Sequence, residues 1–170
     1  MLFTKPAVLA CLAATATAID IRQYSSGTNG CTGGYTRCTS INPGVCCSAN
    51  SQWPNRSLSF NAIPKEWRVH ATGYWQEGCT GDVAGSGNSN GQTDMCFPTA
   101  KYRAGKYVFV GRKRGGDNEA SEGPCQKPDT MVFPDGTTFD LTGLDEQQYD
   151  TFMAGGSTTG IENHFTAFRV

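Results

Sequence analysis

The sequence predicts a mainly β, disulfide-stabilised domain built from two related units, followed by a hairpin and a short helix. Three observations predict it. The motif Gly-Cys-Thr-Gly occurs twice, at 30–33 and 78–81, and each copy follows a strand-like run that ends in an aromatic residue. Short runs that alternate apolar and polar residues are separated by Gly, Asn, Ser and Pro, which is typical of strands joined by turns. The chain is also rich in cysteine.

Residues 1–18 match a secretory signal peptide. Lys5 supplies a positive charge, residues 7–14 form a short apolar run, and Ala16-Thr17-Ala18 is the small-x-small pattern that signal peptidase cuts after. We therefore expect a secreted, extracellular protein whose mature chain starts at Ile19. The apolar run is too short for a membrane span, and no later stretch is long enough for one.

The mature chain keeps seven cysteines, and an oxidising compartment favours disulfides among them. They are Cys31, Cys38, Cys46, Cys47, Cys79, Cys96 and Cys125. Seven is odd, so at most three bridges form within the chain, and an intermolecular disulfide by the seventh is an open alternative. Cys46 and Cys47 are adjacent and should point to opposite faces of a strand, towards different partners. The spacing contains no CxxC pair and predicts no metal site and no cofactor.

We divide the mature chain into three parts. Residues 19–110 form the duplicated β domain, with strand candidates at 19–24, 35–39, 44–47, 57–60, 67–74, 92–97 and 107–110. Residues 111–124 are almost entirely polar and form an exposed basic and glycine-rich loop. Residues 125–170 form a hairpin–helix appendage packed on the β domain.

Local signals define the appendage. Pro134-Asp135-Gly136 separates two apolar runs and predicts a hairpin. Asp145 and Gln148 have the spacing of a capping box and predict the start of a helix. Residues 101–127 carry seven basic and three acidic side chains, whereas residues 128–170 carry one basic and seven acidic. We therefore expect the acidic tail to pack near the basic segment.

The overall charge does not indicate binding to nucleic acid or to an anionic membrane. The chain has 14 basic residues, of which Lys5 lies in the signal peptide, against 15 acidic ones. This near-neutral balance gives no reason to expect nucleic acid as a partner.

Candidate catalytic residues are sparse. Glu66, Arg68 and His70 alternate on one face of a strand candidate, and such a trio can perform acid–base chemistry. Glu77, beside the second Gly-Cys-Thr-Gly, is a further candidate carboxylate. A solvated strand face explains the trio more simply, because any strand that alternates polar and apolar residues presents such a face. The run 87–91 matches G-x-S-x-G but lacks the strand and helix of a hydrolase elbow, so it predicts a flexible loop.

Other candidate sites lie on predicted surface segments. Asn55 begins the sequon Asn55-Arg56-Ser57 and predicts a glycoprotein with a glycan on a loop. Lys113 and Arg114 form a dibasic pair where a kexin-type protease could cut. Tyr74 and Trp75 are the candidate binding aromatics; because neighbours on a strand face opposite ways, at least one should be exposed.

A set of short motifs runs through nearly the whole mature chain. They are Ile19-Asp20-Ile21-Arg22 with Tyr24, the two Gly-Cys-Thr-Gly copies, Asn42-Pro43, Cys46-Cys47, Gly73-Tyr74, and residues 135–144. Together they resemble a group of uncharacterised small secreted cysteine-rich proteins of filamentous fungi. That resemblance implies secretion and disulfides, and it implies no activity.

The repeated unit of aromatic residue, glycine turn and hairpin, over residues 19–110, also resembles the βγ-crystallin Greek key of secreted killer toxins. This resemblance implies an antiparallel Greek-key sandwich of two related units. The adjacent Asn/Asp residues that precede a Ser/Thr-Ser in the calcium sites of that fold are missing here. The glycines of the repeat are then explained by tight turns with positive φ, and its cysteines by disulfides.

These observations favour a non-catalytic binding, effector-like or antagonistic (toxin-like) extracellular protein, whose partner is an unknown extracellular protein or glycan. Two alternatives stay open. One is a small secreted hydrolase acting on RNA or cell-wall glycan. The other is a structural cell-wall protein linked through the odd cysteine.

Overall fold

The structure, a computed structural model, describes residues 18–25, 30–49, 57–98, 101–111, 124–154, 161 and 165–170. Within these ranges the strands are β1 (Ile19–Tyr24), β2 (Tyr35–Ile41), β3 (Cys46–Ser48), β4 (Ser57–Asn61), β5 (Val69–Tyr74), β6 (Val83–Asn88), β7 (Met95–Phe97), β8 (Ala104–Phe109), β9 (Cys125–Gln126), β10 (Thr130–Val132) and β11 (Thr138–Asp140). Helix α1 spans Glu146–Ala154, and single 3₁₀ turns lie at Glu77–Cys79 and Thr166–Phe168. The prediction of a mainly β protein is confirmed.

The strands form two sheets. The first has the order β11-β10-β2-β1-β4-β7, and the second has the order β6-β5-β8-β3-β9. Neighbouring strands are antiparallel except β3 and β9, which are parallel. The parallel pair arises because the chain returns to the edge of the second sheet after residue 124, where the carbonyl of Pro124 accepts a hydrogen bond from the amide of Cys46.

One hydrophobic core lies between the two sheets. Ile21 and Phe60 reach it from the first sheet, and Val69 and Tyr107 from the second; all four are fully buried. The hydroxyl of Tyr107 donates a hydrogen bond of 2.9 Å to the carbonyl of Ile41 and so ties the sheets together. Burial raises the pKa of Tyr107 to about 12. β1, β2 and β5 alternate buried and partly buried residues, so one face of each strand points into this core.

The strands of residues 19–110 divide into two units, β1–β4 and β5–β8, which exchange strands. β1, β2 and β4 lie side by side in the first sheet, but β3, which belongs to the same unit, lies in the second. Conversely, β5, β6 and β8 lie in the second sheet, and β7 lies in the first. Each sheet therefore contains a strand from the other unit, β7 in the first sheet and β3 in the second.

The disulfides follow the same exchange. Cys31, in the first Gly-Cys-Thr-Gly turn, bonds to Cys96 on β7, and Cys79, in the second, bonds to Cys46 on β3. Each turn is thus fixed to the strand that the other unit contributes to its own sheet. All four glycines of the two turns have positive φ, between 68° and 86°, as expected for tight turns.

A third disulfide, between Cys38 and Cys47, joins β2 of the first sheet to β3 of the second. Both cysteines are fully buried. The prediction that Cys46 and Cys47 reach different partners is confirmed. The seventh cysteine, Cys125, lies opposite Cys46 on β9 and is exposed.

Residues beyond 129 extend the first sheet and add a second core. β10 pairs with β2, and the Asp129 carboxylate accepts hydrogen bonds from the amide and hydroxyl of Thr39, at 2.7 and 2.8 Å. The β10–β11 hairpin packs against α1 through Met131, Phe139 and Phe152, all of which are buried.

Helix α1 begins as the sequence predicts. The amide of Gln148 donates to the Asp145 carboxylate at 2.8 Å, and the Gln148 side-chain oxygen accepts from the amide of Asp145 at 3.0 Å. The chain then ends in the 3₁₀ turn and a bridge from Arg169 to Phe139. An ion pair between Glu146 and Lys127, at 3.0 Å, joins the described part of the acidic tail to the basic segment.

Some sequence-based interpretations fall outside the described residues. They are residues 1–17 of the signal peptide, Asn55 of the sequon, residues 112–123 of the polar loop, and the dibasic pair Lys113-Arg114. No helix in the described part of the chain is long and apolar enough to cross a membrane.

Candidate functional site

A cleft of about 490 Å³ opens at one end of the second sheet. Three separate segments line it: the turn before β5, the turn after β6, and the residue that follows β8. The lining residues are Lys65, Glu66, Arg68, Val69, Asn88, Ser89, Asn90, Gly91 and Val110.

Backbone hydrogen bonds hold the three segments together. The amide of Val110 donates to the carbonyl of Arg68 at 2.8 Å, and the amide of Ser89 donates to the carbonyl of Val69 at 2.9 Å. Beside them, the Trp67 ring packs edge-on against Phe109 at 4.8 Å between centroids. These contacts join the floor of the cleft to the core and fix the three segments relative to one another.

Ser89 is a structural residue of this site. Its side chain is fully buried, its hydroxyl accepts from the amide of Val69 at 3.2 Å, and it donates to the carbonyl of Trp67 at 3.1 Å. The expectation of a flexible loop over 87–91 is wrong here, because Gly87 and Asn88 belong to β6 and Ser89 is held by these bonds. Backbone groups therefore engage the hydroxyl both as an acceptor and as a donor, so it is not available as a nucleophile.

Replacing Ser89 with alanine should lower the free energy of unfolding by about 1–3 kcal/mol, because a buried amide loses its acceptor. Chemical denaturation of the Ser89→Ala variant measures this. Ser86→Ala is the matched control, since Ser86 is an exposed serine of β6, three positions before Ser89. Equal stability of the two variants would contradict the structural role of Ser89.

The charged side chains of the cleft are available to a partner. Lys65, Glu66 and Arg68 are all exposed. None of them is in an ion pair within the described part of the chain, whose ion pairs join Asp20 to Arg37, Glu77 to Arg103 and Lys127 to Glu146. A charged group that lies in a cleft without an internal partner can bind a ligand without first breaking a contact.

His70 lies next to the cleft. Its Nδ1 is 2.8 Å from Oδ1 of Asn88, a lining residue, and the two residues are cross-strand neighbours on β5 and β6. The structure therefore brings together three of the residues chosen from the sequence, Glu66, Arg68 and His70. Glu77 lies beyond the other end of β5, where it pairs with Arg103 at 3.5 Å.

The two candidate binding aromatics differ in exposure. Tyr74 is buried, and the Nζ of Lys106 lies 5.3 Å from the centre of its ring. Trp75 is 44% exposed and Val83, at the facing end of β6, is 52% exposed. Binding by Trp75 stays a prediction. In the described residues, no group of three or more His, Cys, Asp or Glu side chains could hold a metal ion.

Sequence reasoning missed much of the lining. Lys65, Asn90 and Val110 come from three segments that only strand pairing brings together, and no local pattern marks them. The one signal in the sequence was the alternation of Glu66, Arg68 and His70.

The comparisons with known proteins bear on this part of the chain. The model of one family, ARB_05566_N, described as an N-terminal domain, matches residues 20–129. The chain belongs to this family. The matched span covers β1 to β9 and contains the cleft and all three disulfides, so the ARB_05566_N domain carries the candidate site; β10, β11 and α1 follow it. Membership is consistent with the resemblance to the secreted fungal proteins.

The comparisons with curated proteins and with solved structures found no significant match.

Proposed function

We propose that this protein is a secreted, non-catalytic binding protein of effector-like or antagonistic type, which recognises an extracellular glycan through the cleft. One observation carries the proposal. Two cations and a carboxylate, all exposed and in no ion pair with another residue that the structure describes, line a cleft of about 490 Å³ whose segments are joined by backbone hydrogen bonds. Pockets of roughly 300–1,000 Å³ are the usual size for small ligands.

Secretion is supported by the signal-peptide pattern of residues 1–18 and by the three disulfides. The βγ-crystallin-like Greek key is supported by the strand order. In each unit the fourth strand lies beside the first, as in a Greek key, and the third lies in the facing sheet. This is the finer description of the fold that we propose.

A glycan hydrolase is the second candidate. The contact between His70 and Asn88 favours it, because it places an imidazole beside a cleft that also contains Glu66. Acid–base catalysis needs such groups within reach of one bond of the substrate.

Titration of the mature chain, residues 19–170, with a panel of neutral and acidic plant and fungal cell-wall oligosaccharides tests the proposal. We expect saturable binding of at least one oligosaccharide and no release of new reducing ends. Asn88→Ala should weaken that binding about 3- to 10-fold, the loss of one hydrogen bond. Ser86→Ala, on the same strand but outside the cleft, is the control.

Two results would contradict the proposal. Release of reducing ends that disappears in His70→Ala and Glu66→Gln would establish the hydrolase instead. Absence of binding to every oligosaccharide, with a secreted protein captured in their place, would show that the target is a protein.

A further inference from the structure

We infer that the cleft binds a carboxylate-bearing saccharide, of the uronic-acid class. The inference rests on the proposed function, since it names the ligand of the same site. It is carried by the chemical groups that line the cleft.

The balance of charge in the cleft favours an anion. Lys65 and Arg68 contribute two positive charges, and among the lining residues that the structure describes Glu66 is the one carboxylate. The two cations have no carboxylate partner in the described part of the chain. A guanidinium presents several donors in a plane that matches the two oxygens of a carboxylate. A ligand carboxylate would therefore supply the partner that both cations lack.

The remaining side chains suit a sugar ring. Asn88 and Asn90 carry amides, which both donate and accept and so match hydroxyl groups. In Asn88, Oδ1 is occupied by His70 Nδ1, which leaves the amide hydrogens to donate to a ligand. Glu66 accepts from hydroxyls. Val110, 46% exposed, offers an apolar surface for the carbon–hydrogen face of a ring.

The lining side chains fit a neutral sugar or an acidic peptide less well than a uronic acid. A neutral sugar would leave Lys65 and Arg68 without a counter-charge. An acidic peptide would satisfy both cations but would make little use of two amides and a carboxylate placed together. A uronic acid has one carboxylate, several hydroxyls and an apolar ring face, and so matches every lining side chain that reaches the surface.

Calorimetric titration of the mature chain with three probes tests the inference. They are a galacturonate trimer, its fully methyl-esterified form, and free galacturonic acid. The ester keeps the shape and hydroxyls and removes only the charge. We expect the trimer to bind at least 10-fold more tightly than the ester, the effect of a hydrogen bond to a charged group. Weaker binding of the free acid would show that the sugar chain is the recognised form. Equal binding would show that the recognised form is a single uronate unit.

Substitutions test whether the preference for the acid over the ester arises from the charges of the cleft. Lys65→Gln with Arg68→Gln should remove the preference for the acid over the ester, whereas Lys101→Gln should keep it. Lys101 is an exposed lysine outside the cleft, and its replacement removes one positive charge, the same change that Lys65→Gln and Arg68→Gln each make when tested singly. Thermal denaturation of each variant shows that loss of binding is not loss of folding.

Other outcomes separate this inference from the proposed function. Equal affinity for acid and ester, with binding lost in Asn88→Ala, would overturn the charge inference and leave glycan binding standing. A glutamate trimer that binds as tightly as the galacturonate trimer would overturn the saccharide assignment. No binding of any glycan would overturn both.

Discussion

Replacing both Cys31 and Cys96 with serine should lower the free energy of unfolding by about 4 kcal/mol, because this disulfide closes the longest loop of the three. The two cysteines are 65 residues apart, against 33 for Cys46–Cys79 and 9 for Cys38–Cys47. In the chain-entropy account, a longer loop restricts the unfolded chain more. This loss is a large share of the total stability of a small domain, about 5–15 kcal/mol.

The position of this disulfide keeps other effects of the substitutions on stability small. Neither Cys31 nor Cys96 lies in the core, so serine leaves no large cavity there. Urea denaturation of the oxidised double variant measures the change, and Thr32→Ala, an exposed change in the same turn, is the control. A loss below about 1 kcal/mol would mean that the strand exchange holds β7 in place without the disulfide.

Replacing Phe152 with alanine should lower the free energy of unfolding by about 3–5 kcal/mol, as for other buried phenylalanines. Phe152 is fully buried, and its ring lies 5.4 Å from Phe139 and 5.2 Å from Phe165 between centroids. It is therefore at the centre of the second core. Gln147→Ala, an exposed change on the same helix, should have little effect.

This variant also tests whether the two cores unfold together. β10 is bonded to β2, and Asp129 to Thr39, so we expect one transition when fluorescence and far-ultraviolet circular dichroism are followed together. Two separate transitions would show that the hairpin and helix form an independent unit.

Local signals in the sequence predicted local structure well. The alternation of Ile19 and Ile21 identified β1, Pro134-Asp135-Gly136 identified the hairpin, and Asp145 with Gln148 identified the start of α1. Each of these depends on a few neighbouring residues, so the physical cause is visible in a short stretch of sequence.

Structure that depends on distant residues was missed. β6 is rich in glycine and serine and does not alternate apolar and polar residues. It is a strand because it pairs antiparallel with β5. β3 and β7 are each three residues long, and no pattern in their sequences indicates that they lie in the sheet of the other unit. Tertiary pairing overrides weak strand propensity in such cases.

The residues of the candidate site also divide into those that a local pattern indicates and those that only the fold brings together. Glu66, Arg68 and His70 were found because they alternate along one segment. Lys65 and Val110 were not, because the cleft forms only when the turn before β5 meets the end of β8.

Amide chemical-shift mapping of the mature chain with the galacturonate trimer tests the central claim, that the cleft is the binding site, most directly. We predict saturable shifts that cluster in residues 65–70, 88–91 and 110, with little change around the turn at 76–82. Shifts that instead cluster at Trp75 and Val83 would contradict the claim and would place recognition on the exposed aromatic turn at the opposite end of β5.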